Sequence, residues 1–101
     1  MQKNDMPSTA AKHKKACSDY RKAMLENHGF LWCESCKRSD RFPMAPHHLV
    51  YASRAPKHPN LHNPRNLLMC CHVCHAAFHA GERKEEFAIL EKERGLKELF
   101  A

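Results

Sequence analysis

Two C-x2-C pairs, Cys33/Cys36 and Cys71/Cys74, stand 34 residues apart in a chain of 101 and constrain its fold more than any other feature. Four thiols in two short hooks match the donor set of a tetrahedral zinc site, because Zn²⁺ imposes no geometry of its own and accepts four sulfurs readily. An ion joining both hooks would order the chain between them. Four protein thiolates leave no open coordination position, so the expected role of this Zn²⁺ is structural. Cys70 makes the second hook ambiguous, since Cys70 and Cys74 form a C-x3-C; Cys71 is the preferred ligand and Cys70 a packed thiol. Two alternatives remain open from the residues alone. The four cysteines could be unligated core, or His75 and His79 could join Cys33 and Cys36 in a Cys2His2 site.

Length favours a single domain with a modest core, for which a metal cross-link is a plausible source of stability. The expected divisions are an N-terminal helix within residues 1–29, a zinc-bound core over 30–81 and a C-terminal helix over 82–101. No run of 18 apolar residues suggests a membrane span, and the start M-Q-K-N-D-M-P-S-T lacks a signal-peptide h-region. Paired C-x2-C motifs without an export signal favour metal ligation over disulfides and a reducing cytoplasm. Formal net charge is +6. It is uneven, with twelve Lys/Arg against five Asp/Glu in residues 1–81, and five against six in 82–101. A basic body points to an anionic partner, nucleic acid first, although solubility alone is the simpler reading.

Ser8 or Thr9 can cap a helix running to about Glu26, with Gly29 as its stop signal. His13, Cys17, Tyr20 and Met24 share one face of it. Phe30-Leu31-Trp32 leads into a zinc knuckle, Cys33-Glu34-Ser35-Cys36. The β-branched and aromatic content of His47 to Ala52 predicts a short strand. Prolines and asparagines mark 53–66 as loop. Leu67 to Cys70 is the returning strand, followed by a helix from about Cys71–Cys74 to Gly81. Residues 83–100 carry Phe87, Leu90, Leu96, Leu99 and Phe100 among charges, an amphipathic helix with a bend at Gly95. The fold class expected is α+β.

In a helix starting near Cys74, His75 and His79 stand one turn apart and can grip one divalent ion, while Cys74 points about 100° away. The segment can therefore serve two metals. A third histidine ligand is expected from His47 or His48. Neighbours on a strand face opposite sides, so one can ligate while the other takes a proton from water. Three protein ligands with open positions are a catalytic arrangement. His58, His62 and His72 lack matching partners and read as surface residues.

Taken in order, Cys33/Cys36, His47-His48, Asn66, Cys71/Cys74, His75 and His79 resemble the pattern of the zinc-containing HNH endonuclease family. The resemblance covers residues 33–79. It implies a ββα-metal, treble-clef-like core in which two antiparallel strands and a helix surround one catalytic divalent ion. His47, His75 and His79 would hold that ion, and His48 would be the general base. Asn66, preferred over Asn60 and Asn63 for its nine-residue spacing to His75, would brace the loop and help orient His48. The implied activity is hydrolysis of DNA phosphodiester bonds, leaving 5′-phosphate and 3′-hydroxyl ends, with Mg²⁺, Mn²⁺, Ni²⁺ or Zn²⁺ as the catalytic metal. A monomer with one site would nick one strand. Arg54 and Arg65 are candidate DNA-phosphate contacts, with solvated loop arginines as the simpler reading. The competing classes are a non-catalytic zinc module that binds nucleic acid, and a thiol oxidoreductase using C-x2-C. The oxidoreductase reading explains neither the histidines nor the paired spacing.

Overall fold

A computed structural model describes residues 9–51, 54–55 and 58–101. Ser8, Ala52 and the polar start at 1–7, which figure in the sequence reading, lie outside the described residues. The architecture is a small α+β arrangement built on one two-stranded antiparallel sheet. Helix α1 spans Thr9–His28, strand β1 Met44–His48, strand β2 Leu67–Cys71, helix α2 His72–His79, helix α3 Lys84–Glu93 and the short helix α4 Leu96–Leu99. One 3-10 turn, Pro64–Asn66, leads directly into β2. No helix among the described residues is long and apolar enough to cross a membrane.

Helix α1 runs two residues past the expected Glu26 and stops at Gly29, which sits at φ +81 and whose N–H bonds the Leu25 carbonyl at 2.8 Å. That left-handed step is easy for glycine because it has no Cβ. Met24 is the fully packed residue of its inner face, with Tyr20 beside it.

The first strand departs from the sequence reading. It occupies 44–48, ahead of the expected 47–52. Met44 pairs with Cys71, His47 with Leu68 and His48 with Leu67. Pro46 lies mid-strand, which a two-stranded sheet tolerates because each strand has a free edge. Arg21 of α1 bonds the Met44 carbonyl at 3.0 Å and helps fix where the strand begins.

Every residue of β2 is buried. α1 and α2 both pack on the sheet, so Leu68, Met69, Cys70 and Cys71 join Met24, Met44, Leu49, Val50 and Leu96 in one core. The C-terminal segment is two helices rather than one. Gly95, at φ +62, separates α3 from α4 and drops Leu96 into the core at 1 % exposure. A Cβ at Gly95 would come within 2.5 Å of Arg65 Nη2.

Two arginines clamp this corner. Arg65 donates to the carbonyls of Arg94 at 2.9 Å and Gly95 at 3.3 Å, satisfying groups that a helix C-terminus leaves open. Arg94 reaches back to the Leu67 carbonyl at 2.6 Å and the Arg65 carbonyl at 3.2 Å.

Candidate metal centres

The two cysteine hooks meet. Cys33, Cys36, Cys71 and Cys74 bring their sulfurs within 4.8 Å of one another, whereas Cys70 stays out of the group as a buried thiol. Cys36 and Cys71 sulfurs stand 3.8 Å apart. A zinc–sulfur bond of about 2.3 Å sets the edge of a tetrahedral S4 shell at about 3.8 Å, so this edge matches one of that shell. All six cysteines are free thiols.

Each hook builds its own thiolate support. The Cys36 N–H points at Cys33 Sγ at 3.4 Å, and the Cys74 N–H at Cys71 Sγ at 3.5 Å, where Cys71 also caps α2. The first hook closes because Lys37 takes φ +69 and its N–H bonds the Cys33 carbonyl at 2.8 Å. Burial pushes the Cys71 thiol up, but hydrogen bonds from the Cys74 backbone and from the Cys74, Cys36 and Cys33 side chains outweigh it and bring Cys71 down to about 6. Burial holds Cys74 up at about 12. Cys70 has no such support, and burial pushes it far above the thiol range. The cluster could therefore hold a metal such as zinc.

A second group gathers His47, His75 and His79, again with donor atoms within 4.8 Å. β1 supplies the buried His47, and one face of α2 supplies the exposed His75 and His79. The Nε2 atoms of His75 and His79 are 2.9 Å apart, a bite suited to one ion with nitrogen bonds of about 2.0–2.1 Å. Burial first, then the neighbouring His75, His79 and His48, hold His47 down to about 4. Its ring is neutral near pH 7, the form that can ligate.

Tyr51 was not read from the sequence as part of this group. Its hydroxyl lies 3.4 Å from His47 Nε2, and its ring stacks on His79. A pocket of about 210 Å³ opens beside His47, lined by Tyr51, Arg54, Phe78, Arg83 and Lys84 among others. Arg54 is thus placed at this site. Arg65 is not part of that lining, and its guanidinium is engaged at the α3–α4 corner.

His48 faces the other way, as strand alternation requires. Its Nε2 is 3.1 Å from Nδ1 of His62, and its ring stacks on His13 at 4.7 Å between centroids. His62 is therefore a half-buried partner of His48 rather than a plain surface residue. Burial, then His13 and His62, hold His48 down to about 4.

Asn66 is fully buried and bonds three backbone groups. It accepts from the Val50 N–H at 2.8 Å and donates to the carbonyls of Val50 at 3.0 Å and Leu61 at 2.9 Å. The bonds fix the chain just after His48 and just before His62. Asn66 acts on His48 through that backbone rather than through a bond to its ring.

Glu34, inside the first hook, is a further residue that the spacing did not flag. It accepts from Tyr20 Oη of α1 and from the Met69 N–H of β2 at 2.8 Å, and stands 3.6 Å from Arg94.

Comparison with protein-family models, with curated proteins and with solved structures finds no match for this chain.

Proposed function

We propose that the chain is a metal-dependent DNA endonuclease of the HNH type, a ββα-metal, treble-clef-like fold hydrolysing phosphodiester bonds as a cytoplasmic monomer that nicks one strand. The observation that carries this reading is the pairing of functions across β1. His47 joins two histidines of α2 in an imidazole triad beside a basic pocket, while the next residue, His48, is a neutral imidazole held by a braced loop. The four-cysteine cluster, filled by Zn²⁺, would hold the knuckle against β2 and α2 and so fix the triad.

His47, His75 and His79 would hold the catalytic divalent ion. Such an ion, when bound, supplies positive charge that stabilises the transition state of phosphodiester hydrolysis. Arg54 and Lys84 at the pocket rim offer cationic groups to a DNA phosphate. The scissile phosphate would lie across the end of β1, with the triad on one side, and His48 on the other side takes a proton from water attacking from there. The water oxygen bonds phosphorus, the bond to the 3′ oxygen breaks, and that oxygen takes a proton from solvent, leaving a 5′-phosphate and a 3′-hydroxyl. A pKa of about 4 keeps the His48 ring unprotonated at neutral pH but makes it a weak base. The His62 contact at Nε2 exchanges for water when that nitrogen acts. Tyr51 orients His47 by its hydroxyl contact.

Supercoiled plasmid incubated with the protein and EDTA, Mg²⁺, Mn²⁺, Ni²⁺ or Zn²⁺ tests the proposal. Open circles should form with at least one metal and not with EDTA. Salt-sensitive DNA binding without cutting under any metal would replace the nuclease by a non-catalytic zinc module.

A further inference from the structure

We propose that His13, His48 and His62 form a second transition-metal site, and that its occupation inhibits cleavage by capturing the imidazole used as base. The binding stands on geometry alone; only the inhibition rests on the nuclease reading.

Three separate parts of the chain converge here. His13 comes from the second turn of α1, His48 from the last position of β1, and His62 from the connection between the strands. Their ring nitrogens lie within 4.8 Å of one another. His48 Nε2 and His62 Nδ1 are already 3.1 Å apart, close to the edge of about 3.3 Å that two nitrogen bonds of 2.0–2.1 Å make in a tetrahedral shell. Asn66 fixes the backbone flanking both rings, so this pair is held ready before any ion arrives.

His13 completes the set by a small movement. In the stacked arrangement, with 24° between planes, it presents its ring face to His48 rather than a lone pair. His13 is exposed on α1, so turning its ring is a change of side-chain torsion without rearrangement of packed neighbours. Cys17, one turn later on α1, touches His13 Nε2 at 3.6 Å and limits how far the ring swings.

Three imidazoles without a carboxylate select ions that accept neutral nitrogen donors, Zn²⁺, Cu²⁺ or Ni²⁺, over Mg²⁺. An ion must first turn His13 out of its stack on His48. The site should therefore fill after the His47 triad, when such metal is in excess. An ion on His48 occupies the lone pair that would take the proton.

Protein carrying one zinc on its four cysteines is titrated with Zn²⁺, and its plasmid nicking is measured in the supporting metal with rising Zn²⁺. Two further equivalents are expected. The weaker should vanish in His13→Ala and in His62→Ala, and the tighter in His79→Ala. Excess Zn²⁺ should slow wild-type nicking by about a hundredfold, the scale of losing a general base. His13→Ala should resist that inhibition relative to its own zinc-poor rate. A single further equivalent, or a weaker one surviving in both variants, overturns the site. Two equivalents with the expected variant losses but no cutting in any metal would keep the site and refute the nuclease. Cutting that excess Zn²⁺ leaves undiminished would refute the inhibition.

Discussion

Asn66 shows how one side chain organises the candidate site. Both ends of its amide are spent on backbone of the 49–61 segment, and no buried polar side-chain atom among the described residues lacks a partner. Asn66→Ala would strand the Val50 N–H in the interior, a loss of about 2 kcal/mol by the usual cost of an unsatisfied buried group. Chemical denaturation should read that loss, and a variant of wild-type stability would deny Asn66 its bracing role. The histidines make a second residue-scale prediction. Folded His48 sits at about 4, below the unfolded value of 6.5. Above pH 6.5 both states are neutral; from 6.5 down towards 4 the unfolded chain takes up a proton that the folded chain does not, so stability falls with pH. Melts of wild type and His48→Gln between pH 7.5 and 5 should diverge, with wild type falling more steeply. Parallel curves would contradict the burial of a neutral imidazole.

Among the elements, the first hook does more than present thiols. Glu34 ties α1 through Tyr20 and β2 through Met69, and Arg94 adds the end of α3. Burial and the Glu34 hydrogen bond push the Tyr20 hydroxyl above its ordinary range. Glu34→Ala should cost about 2 kcal/mol, because it leaves the Met69 N–H and the Tyr20 hydroxyl short of an acceptor. Glu34→Gln, which keeps an acceptor, should recover part of it in the same denaturation series; equal losses would point to side-chain volume instead. β1 shows where local signals fail. Met44-Ala45-Pro46 has poor strand composition, whereas Val50 and Tyr51 place the expected strand at 47–52. Pairing with β2 and the Arg21 contact decide the placement, and both are tertiary. The C-terminal helices were nearer to legible. Gly95 marked the bend, but the turn is tight enough to end one helix and start another.

At the scale of the whole molecule, three clusters among the described residues surround one small sheet. The four cysteines join the hook to the β2–α2 corner, and the two histidine triads take opposite faces at the end of β1. Much of this was written in short-range spacing. C-x2-C is a local hook, and His75 and His79 are one helical turn apart, so their grouping needs no tertiary knowledge. Strand alternation offered one of His47 and His48 beside them, and only the family resemblance chose His47. His13 and His62 could not be found that way, because 48 residues of sequence separate them and no periodicity links a helix to a loop. Arg65 was likewise invisible as a clamp, since its partners lie 29 and 30 residues downstream.

The most direct test compares plasmid nicking by His48→Ala and wild type at equal zinc content and equal occupancy of the His47–His75–His79 triad. Nicking should fall by about 10²–10⁴, the range for removing a general base, with the fold and metal binding at the cysteine cluster and the His47 triad unchanged. Nicking within a few-fold of wild type would contradict a histidine-based hydrolysis and return His48 to a purely structural role.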